Sequence, residues 1–366
     1  MKILLIGDAS NYHACLGDAL RRLGHDVTVA SSGSRWMHTH RDIDLSRPLT
    51  GKAGGALLAL KLAASASRLR GFDIVQISNP VFVELRPHRV KKIFDDLRQY
   101  NGAVYLTALG VDVPYFRMCC DTACPLRYND VFDLRAAKLR IRQDDWLNEP
   151  LVKLNDHVYS HIDGVVTALY EYHLSVERIL PPDKIAYAGI PIDTLSIQPR
   201  PIAPDGRKIS IFLGRHSYRM AEKGTDILEK AARIVAQRNP DTCRLDIVEN
   251  LPYSEYLLRL RSADIVLDQL YSYTPATNAL LAMANGQCAV SGAEPEYYDF
   301  IGEAANRPIF NSPLEVDAMA DLFSSILTSE PGFLRDTGLS CRRFVEAHNA
   351  APIVASRFLS FWRSHL

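Results

Sequence analysis

Short apolar runs alternate along this chain with longer segments whose apolar positions recur at helical spacing. Lys2-Ile3-Leu4-Leu5-Ile6-Gly7 is nearly apolar throughout, the pattern of a strand buried on both faces. Residues 12–23 place Leu16, Ala19, Leu20 and Leu23 on one helix face, and Gly24 supplies a C-terminal stop. Residues 25–30 read as a second strand, so the chain opens with a βαβ unit of right-handed crossover. Further strands are predicted at 72–78, 103–107 and 164–167, with a helix at 90–99. Residues 121–161, rich in charge and aromatics, read as helices inserted over the sheet. Strands alternating with helices specify an α/β layer fold around a parallel sheet.

The texture changes near Gly189-Ile190-Pro191-Ile192-Asp193. The stretch that follows, 198–206, carries too many prolines for a helix or a strand and ends in Asp-Gly, the composition of a linker. A second α/β run comes next, with strands at 208–214, 243–248, 263–267 and 287–291 and helices at 225–237, 276–285 and 314–327. The tail from 334 to 365 is helical in pattern. The expected architecture is two doubly wound domains facing across a cleft: residues 1–195, a linker at 196–207, residues 208–340, and a closing helix at 341–366.

Composition narrows the function. Forty-two basic and 42 acidic residues leave no net charge, which disfavours a duplex-binding surface, so no nucleic-acid partner is expected. With 47% hydrophobic and 23% charged residues among 366, disorder is excluded. Seven cysteines form an odd, sparse set unlike a disulfide framework, and Cys119-Cys120-Asp121-Thr122-Ala123-Cys124 lacks the spacing of a metal site, so no metal is expected. The first apolar run is too short for a secretory signal, and 54–65, broken by Lys61, is too short for a membrane span. A cytoplasmic protein is the expectation, with peripheral contact at the inner membrane face left as an open alternative. Arg86, His88, Arg89, Lys91 and Lys92 make a basic helix start that suits an anionic acceptor or lipid headgroup, or simply a solvated face.

Phosphate-binding candidates follow from position. No Gly-x-Gly-x-x-Gly follows the first strand, and Thr50-Gly51-Lys52-Ala53 lacks both the leading glycine and the hydroxyl residue of an NTPase loop. Gly214-Arg215 ends a predicted strand, and Glu222-Lys223-Gly224-Thr225-Asp226 opens the next helix. A guanidinium and an ammonium converging above a sheet suit a diphosphate. Pro275 precedes a helix whose first amides come from Ala276, Thr277 and Asn278, beside small residues that admit a phosphate. In the first half, Gly7 allows close approach, Asp8 or Asn11 could contact acceptor or phosphate, and Ser10 or Asn11 is an equally good N-cap. His13, near the helix start, could serve as a base but is expected at the surface, and Tyr170, Glu171 and His173 are weaker candidates of the same kind.

These segments, with Ala263-Asp264-Ile265-Val266 and Leu281-Ala282-Met283-Ala284-Asn285-Gly286, resemble a GT-B glycosyltransferase, most similar to glycosyltransferase family 4. The resemblance implies two Rossmann-like domains, a nucleotide diphosphate sugar held mainly by the second, a carbohydrate or lipid-linked acceptor held mainly by the first, and a last helix crossing back to the first domain. It implies no cofactor beyond the donor substrate, and transfer with retention and without a metal. Arg215 and Lys223 would hold the diphosphate, and Thr277 and Asn278 would touch phosphate or sugar. The family's two glutamates, eight positions apart, are replaced by Tyr273 and Leu281. Asp268, Glu249 and Glu294 are the candidates for the ribose contact, Asp268 first because it ends a strand. Leu109-Gly110-Val111-Asp112 resembles a His-Gly-x-Asp segment near the reaction centre, with Asp112 retained. The alternatives are a silent GT-B binding or scaffold protein, suggested by Tyr273 and Leu281, and a sugar-nucleotide epimerase.

Overall fold

The structure is a computed structural model that describes residues 1–200, 202, 207–215 and 217–365. The chain packs as two units. Unit 1 comprises Met1–Pro125, Arg142–Pro191 and the chain from Ala351, and unit 2 comprises Leu126–Ile141 and Ile192–Ala350.

The chain opens with β1 (Lys2–Ile6), α1 (Tyr12–Arg22), β2 (Asp26–Ser31), β3 (Ile43–Asp44), α2 (Gly51–Ser65) and β4 (Ile74–Ile77). It continues through α3 (Pro87–Tyr100), β5 (Ala103–Ala108) and α4 (Val113–Cys120). A hairpin of β6 (Phe132–Asp133) and β7 (Lys138–Leu139) joins unit 2, after which α5 (Glu149–His161), β8 (Gly164–Thr167), α6 (Tyr170–Glu177) and β9 (Ile185–Tyr187) return to unit 1. Its sheet has the order β3-β2-β1-β4-β5-β8-β9, with every pairing parallel. Parallel strands are covered on both faces, which is why Ile3, Leu4, Leu5 and Ile6 are all fully buried. Strand order reverses between β1 and β4, making that pair the switch point of the unit.

Unit 2 runs β10 (Ile209–Arg215), α7 (Met220–Lys223), α8 (Thr225–Arg238), β11 (Cys243–Glu249), α9 (Tyr253–Ser262), β12 (Ile265–Leu267) and α10 (Thr277–Ala284). Then come β13 (Cys288–Ser291), α11 (Pro295–Phe300), β14 (Phe310–Asn311), α12 (Val316–Leu327) and α13 (Phe333–His348), and α14 (Ala351–Arg363) ends the chain in unit 1. The sheet order is β11-β10-β12-β13-β14, again parallel, with its reversal between β10 and β12.

Several expectations need correction. Across 121–161 only α5 forms as a regular helix. Asp121, Asn129 and Asp133 accept hydrogen bonds from amides two and three residues on (Ala123, Val131, Phe132, Arg135, Ala136), and such local turns outcompete a helix. The helical tail is two helices broken at Asn349 and Ala350, before Pro352, and only α14 belongs to unit 1. The units divide after Pro191 rather than at 195. Of the expected linker, Pro201 and 203–206 lie outside the described residues, while Ile202 is buried in the core of unit 2.

Candidate functional site

In open α/β sheets ligands bind beyond the carboxyl ends of the strands at the switch point, so each unit offers one such place. That of unit 1 is closed by its own side chains. Gly7, at the end of β1, has φ +78°, and a Cβ there would overlap Ser78 Oγ and stand 2.8 Å from the Phe82 carbonyl oxygen. Its missing side chain therefore makes room for the protein's own Ser78 and Phe82. Ser10 and Asn11 adopt left-handed backbone and give α1 no side-chain cap. Asp8 does so instead, its Oδ1 accepting from the His13 amide at 2.9 Å and its Oδ2 from the Thr39 hydroxyl at 3.2 Å. Burial pushes the Asp8 carboxyl up to about 6.

His13, expected at the surface, is fully buried, and burial pushes its pKa down to about 4. Its neutral tautomer follows from its neighbours. Nδ1 donates to the Gly7 carbonyl oxygen at 2.7 Å, because that oxygen can only accept. Nε2 then accepts from Thr107 Oγ1 at 3.1 Å, Thr107 accepts from Gln76 Nε2 at 3.0 Å, and Gln76 Oε1 accepts from Trp362 Nε1 at 3.0 Å. One satisfied chain thus ties α14 through the middle of the sheet to the end of β1. Asp112 is likewise engaged: it caps α4 by accepting from the Tyr115 amide at 3.0 Å and takes the Tyr159 hydroxyl at 2.5 Å. Burial raises its carboxyl to about 6. His173 bonds Thr167 Oγ1 through Nδ1 at 3.0 Å and sits 3.3 Å from Glu177.

The switch point of unit 2 differs. Arg215, the last residue of β10, donates to Glu249 Oε2 at 2.6 Å on β11 and to Glu229 Oε2 at 2.8 Å on α8. Lys223 lies on the other side, with Nζ 3.7 Å from Asp268 Oδ1 beyond β12. The two expected cations therefore answer to different carboxylates, and Glu249 is engaged by Arg215. Lys223 is the one at the β10–β12 reversal. Asp268 is 2% exposed and takes a 3.4 Å hydroxyl contact from Ser291 at Oδ2, while its Oδ1 has no hydrogen bond among the described residues. Thr225, which opens α8, is 1% exposed with an equally unbonded Oγ1. Gly224 joins α7 to α8 at φ +64°, and a Cβ there would press on Leu270 at 2.7 Å. The Leu270 amide clamps this turn by donating to the Lys223 carbonyl at 2.8 Å. Gly214 admits the Tyr256 ring, which a Cβ would overlap. Thr277 and Asn278 begin α10, which has no side-chain cap, so no cap side chain covers its leading amides.

Tyr273 and Glu294 hold another partner. The segment Leu126–Ile141 brings Arg127, whose amide donates to the Tyr273 hydroxyl at 2.7 Å, while its guanidinium bonds Glu294 at 2.5 Å and also Glu296. Tyr128 donates to Glu294, which also accepts from Asn311 Nδ2 at 2.8 Å. Arg140 stacks 3.5 Å over the Tyr271 ring. Burial pushes the Tyr273 hydroxyl up to about 12. Sequence reasoning missed this strap because Arg127 and Tyr273 are 146 residues apart. A cavity of about 300 Å³ at the amino ends of the unit 2 strands is lined by Arg207 and Asp264, and these two neutralise each other in a double hydrogen bond at 2.7 and 2.5 Å. Among the described residues no three His, Cys, Asp or Glu side chains gather as a metal site, and no helix is long and apolar enough to cross a membrane.

No protein-family model and no curated protein sequence matches this chain. Solved structures do. A sucrose-phosphate synthase from Thermosynechococcus elongatus is similar over 100% of this chain and 99% of its own, at TM-score 0.65 and 15% identity. HepE from Anabaena, solved with UDP and glucose, is similar over 100% of both chains at TM-score 0.59 and 11% identity. A putative UDP-N-acetylglucosamine 2-epimerase from Listeria monocytogenes is similar over 100% of this chain and 96% of its own, at TM-score 0.55 and 12% identity. The fold is that of GT-B proteins, with two Rossmann-like domains.

Proposed function

We propose that this chain is a glycosyltransferase, moving a hexosyl group from a nucleotide diphosphate sugar to a carbohydrate or lipid-linked acceptor. The observation that carries the reading is a pair of buried oxygens without a hydrogen bond among the described residues: Asp268 Oδ1, 3.7 Å from Lys223 Nζ at the unit 2 switch point, and Thr225 Oγ1, two positions after that lysine in the chain. A native fold rarely leaves such groups unpartnered, and a ligand that supplies hydroxyls and phosphate oxygens would complete them. Ribose or sugar hydroxyls would donate to Asp268, and phosphate oxygens would accept from Lys223, Thr225 and the first amides of α10. Lys223 and those amides would stabilise charge developing on the departing diphosphate, which makes transfer without a metal the finer reading, with retention and family 4 membership resting on the resemblance. Arg215 joins only when Glu249 or Glu229 releases it. UDP bound to HepE supports uridine as the base to try first.

Calorimetric melting with UDP and with UMP tests the diphosphate. Ligand at 100 times its dissociation constant stabilises by about 2.7 kcal/mol, so a rise with UDP alone is expected. Incubation with UDP-glucose should then release UDP. Binding without turnover would favour a silent binding protein, the reading that Tyr273 supports by holding Arg127 where the resemblance expects an acid. Interconversion of the sugar without an acceptor would favour an epimerase, as the Listeria likeness suggests.

A further inference from the structure

We infer that α2 is a docking surface for an anionic lipid bilayer. The helix is apolar on two opposite faces. Leu58 and Leu62 enter the core of unit 1 beside Gly54. On the other side Ala53, Ala56, Leu57, Leu60, Ala63 and Ala64 form an exposed stripe at helical spacing, with Leu57 40% and Leu60 66% exposed. Leu49, just before the helix, is 56% exposed. A solvent-facing helix surface is ordinarily polar, so a full-length apolar stripe marks a contact surface.

Charge selects the partner. From 45 to 72 there is no Asp or Glu, while Arg47, Lys52, Lys61, Arg68 and Arg70 supply five cations. Lys52 and Lys61 flank the stripe, one on each side by helical spacing, and the stem of Lys52 can lie along apolar surface while its ammonium reaches headgroups. Lys61 meets Asp44 at 2.9 Å. Among the described residues Arg47, Lys52, Arg68 and Arg70 make no ion pair; Arg68 donates to the Asp42 carbonyl at 3.1 Å and Arg70 stacks over Tyr100 at 3.6 Å. Aliphatic side chains amid unneutralised cations match an interfacial helix on anionic lipid. A second copy of this chain fits poorly, since an isologous contact would set like charge against like charge. The expected basic patch at the start of α3 has no exposed aliphatic stripe beside it: Val90, Phe94 and Leu97 are buried, Ile93 is half-buried, and Lys91 pairs with Asp95 at 2.8 Å.

This inference does not rest on sugar transfer. Co-sedimentation of the full chain with vesicles of phosphatidylcholine, and of phosphatidylcholine mixed with phosphatidylglycerol, tests it. Wild-type protein is expected to pellet with the mixed vesicles at low salt, to be released as salt rises, and to stay in solution with phosphatidylcholine alone. Leu57→Gln/Leu60→Gln should lower the partition coefficient about tenfold or more. Lys52→Gln should lower it about fivefold, with the circular-dichroism melt of both variants unchanged because the replaced side chains are exposed. Wild-type protein that never pellets with the mixed vesicles, or variants that pellet equally, overturns the proposal. So does a dimer in analytical ultracentrifugation that Leu57→Gln/Leu60→Gln abolishes.

Discussion

The two switch points are built from the same topology and treat their polar groups in opposite ways. In unit 1, Asp8, His13, Thr107 and Gln76 satisfy one another, and a closed run of hydrogen bonds reaches from Trp362 to Gly7. In unit 2, Asp268 and Thr225 keep an oxygen each without a hydrogen bond among the described residues, that of Asp268 lying 3.7 Å from Lys223 Nζ. Polar residues in the same topological place can thus be bound into the framework or left with an open oxygen, and the hydrogen-bond inventory separates the two where residue type does not.

Breaking the framework side should cost most. Gly7→Ala combines strained positive φ with overlap on Ser78, and is expected to lower unfolding free energy by about 3 kcal/mol or more in urea titration. The paired hydroxyls sharpen the contrast. Thr107→Val leaves His13 and Gln76 each short of a partner and should cost about 1–3 kcal/mol. Thr225→Val removes a hydroxyl that bonds nothing in the free protein, so stability should hold or rise slightly while UDP affinity falls. Equal losses for the two variants would erase the distinction.

Titration reaches the buried carboxyls and imidazole of unit 1. Burial raises the Asp112 carboxyl to about 6, above the ordinary 3.8 it has when unfolded, so across that window the fold holds the extra proton and gains stability as pH falls. Asp8 acts in the same direction. His13 opposes them, because its pKa drops from 6.5 to about 4 and the fold loses stability as pH falls through that range. Asp112→Asn should therefore remove up to about 3 kcal/mol of the stability gained between pH 7 and 4, read from denaturation midpoints across pH. The smallest effect belongs to the strap. Arg127 is half exposed, and its ion pairs with Glu294 and Glu296 should be worth about 1 kcal/mol or less, so Arg127→Ala shifts the melting temperature by only a few degrees.

Much of this was legible in the chain itself. Wherever apolar runs were unbroken, as at β1, β5 and β10, strands formed within a residue or two of their expected limits, because burial on both faces leaves no other reading. Lys223, Thr277 and Asp268 could be nominated from the chain because position after a strand or before a helix is a local signal. The strap was not, since its partners lie far along the chain and its Asn and Asp turns mimic a polar helix. The pairing of Arg215 was hidden for a related reason: Glu249 faces it only through the β10–β11 register. His13 looked like a surface residue because nothing near it in sequence reveals Thr107.

The central claim is that the β10–β12 reversal grips a nucleoside diphosphate through Lys223. Isothermal titration of UDP into wild-type protein and into Lys223→Ala tests it directly. Saturable one-site binding by the wild type, weakened about tenfold or more in the variant, is predicted; no binding by the wild type, or equal affinity in both, would contradict it.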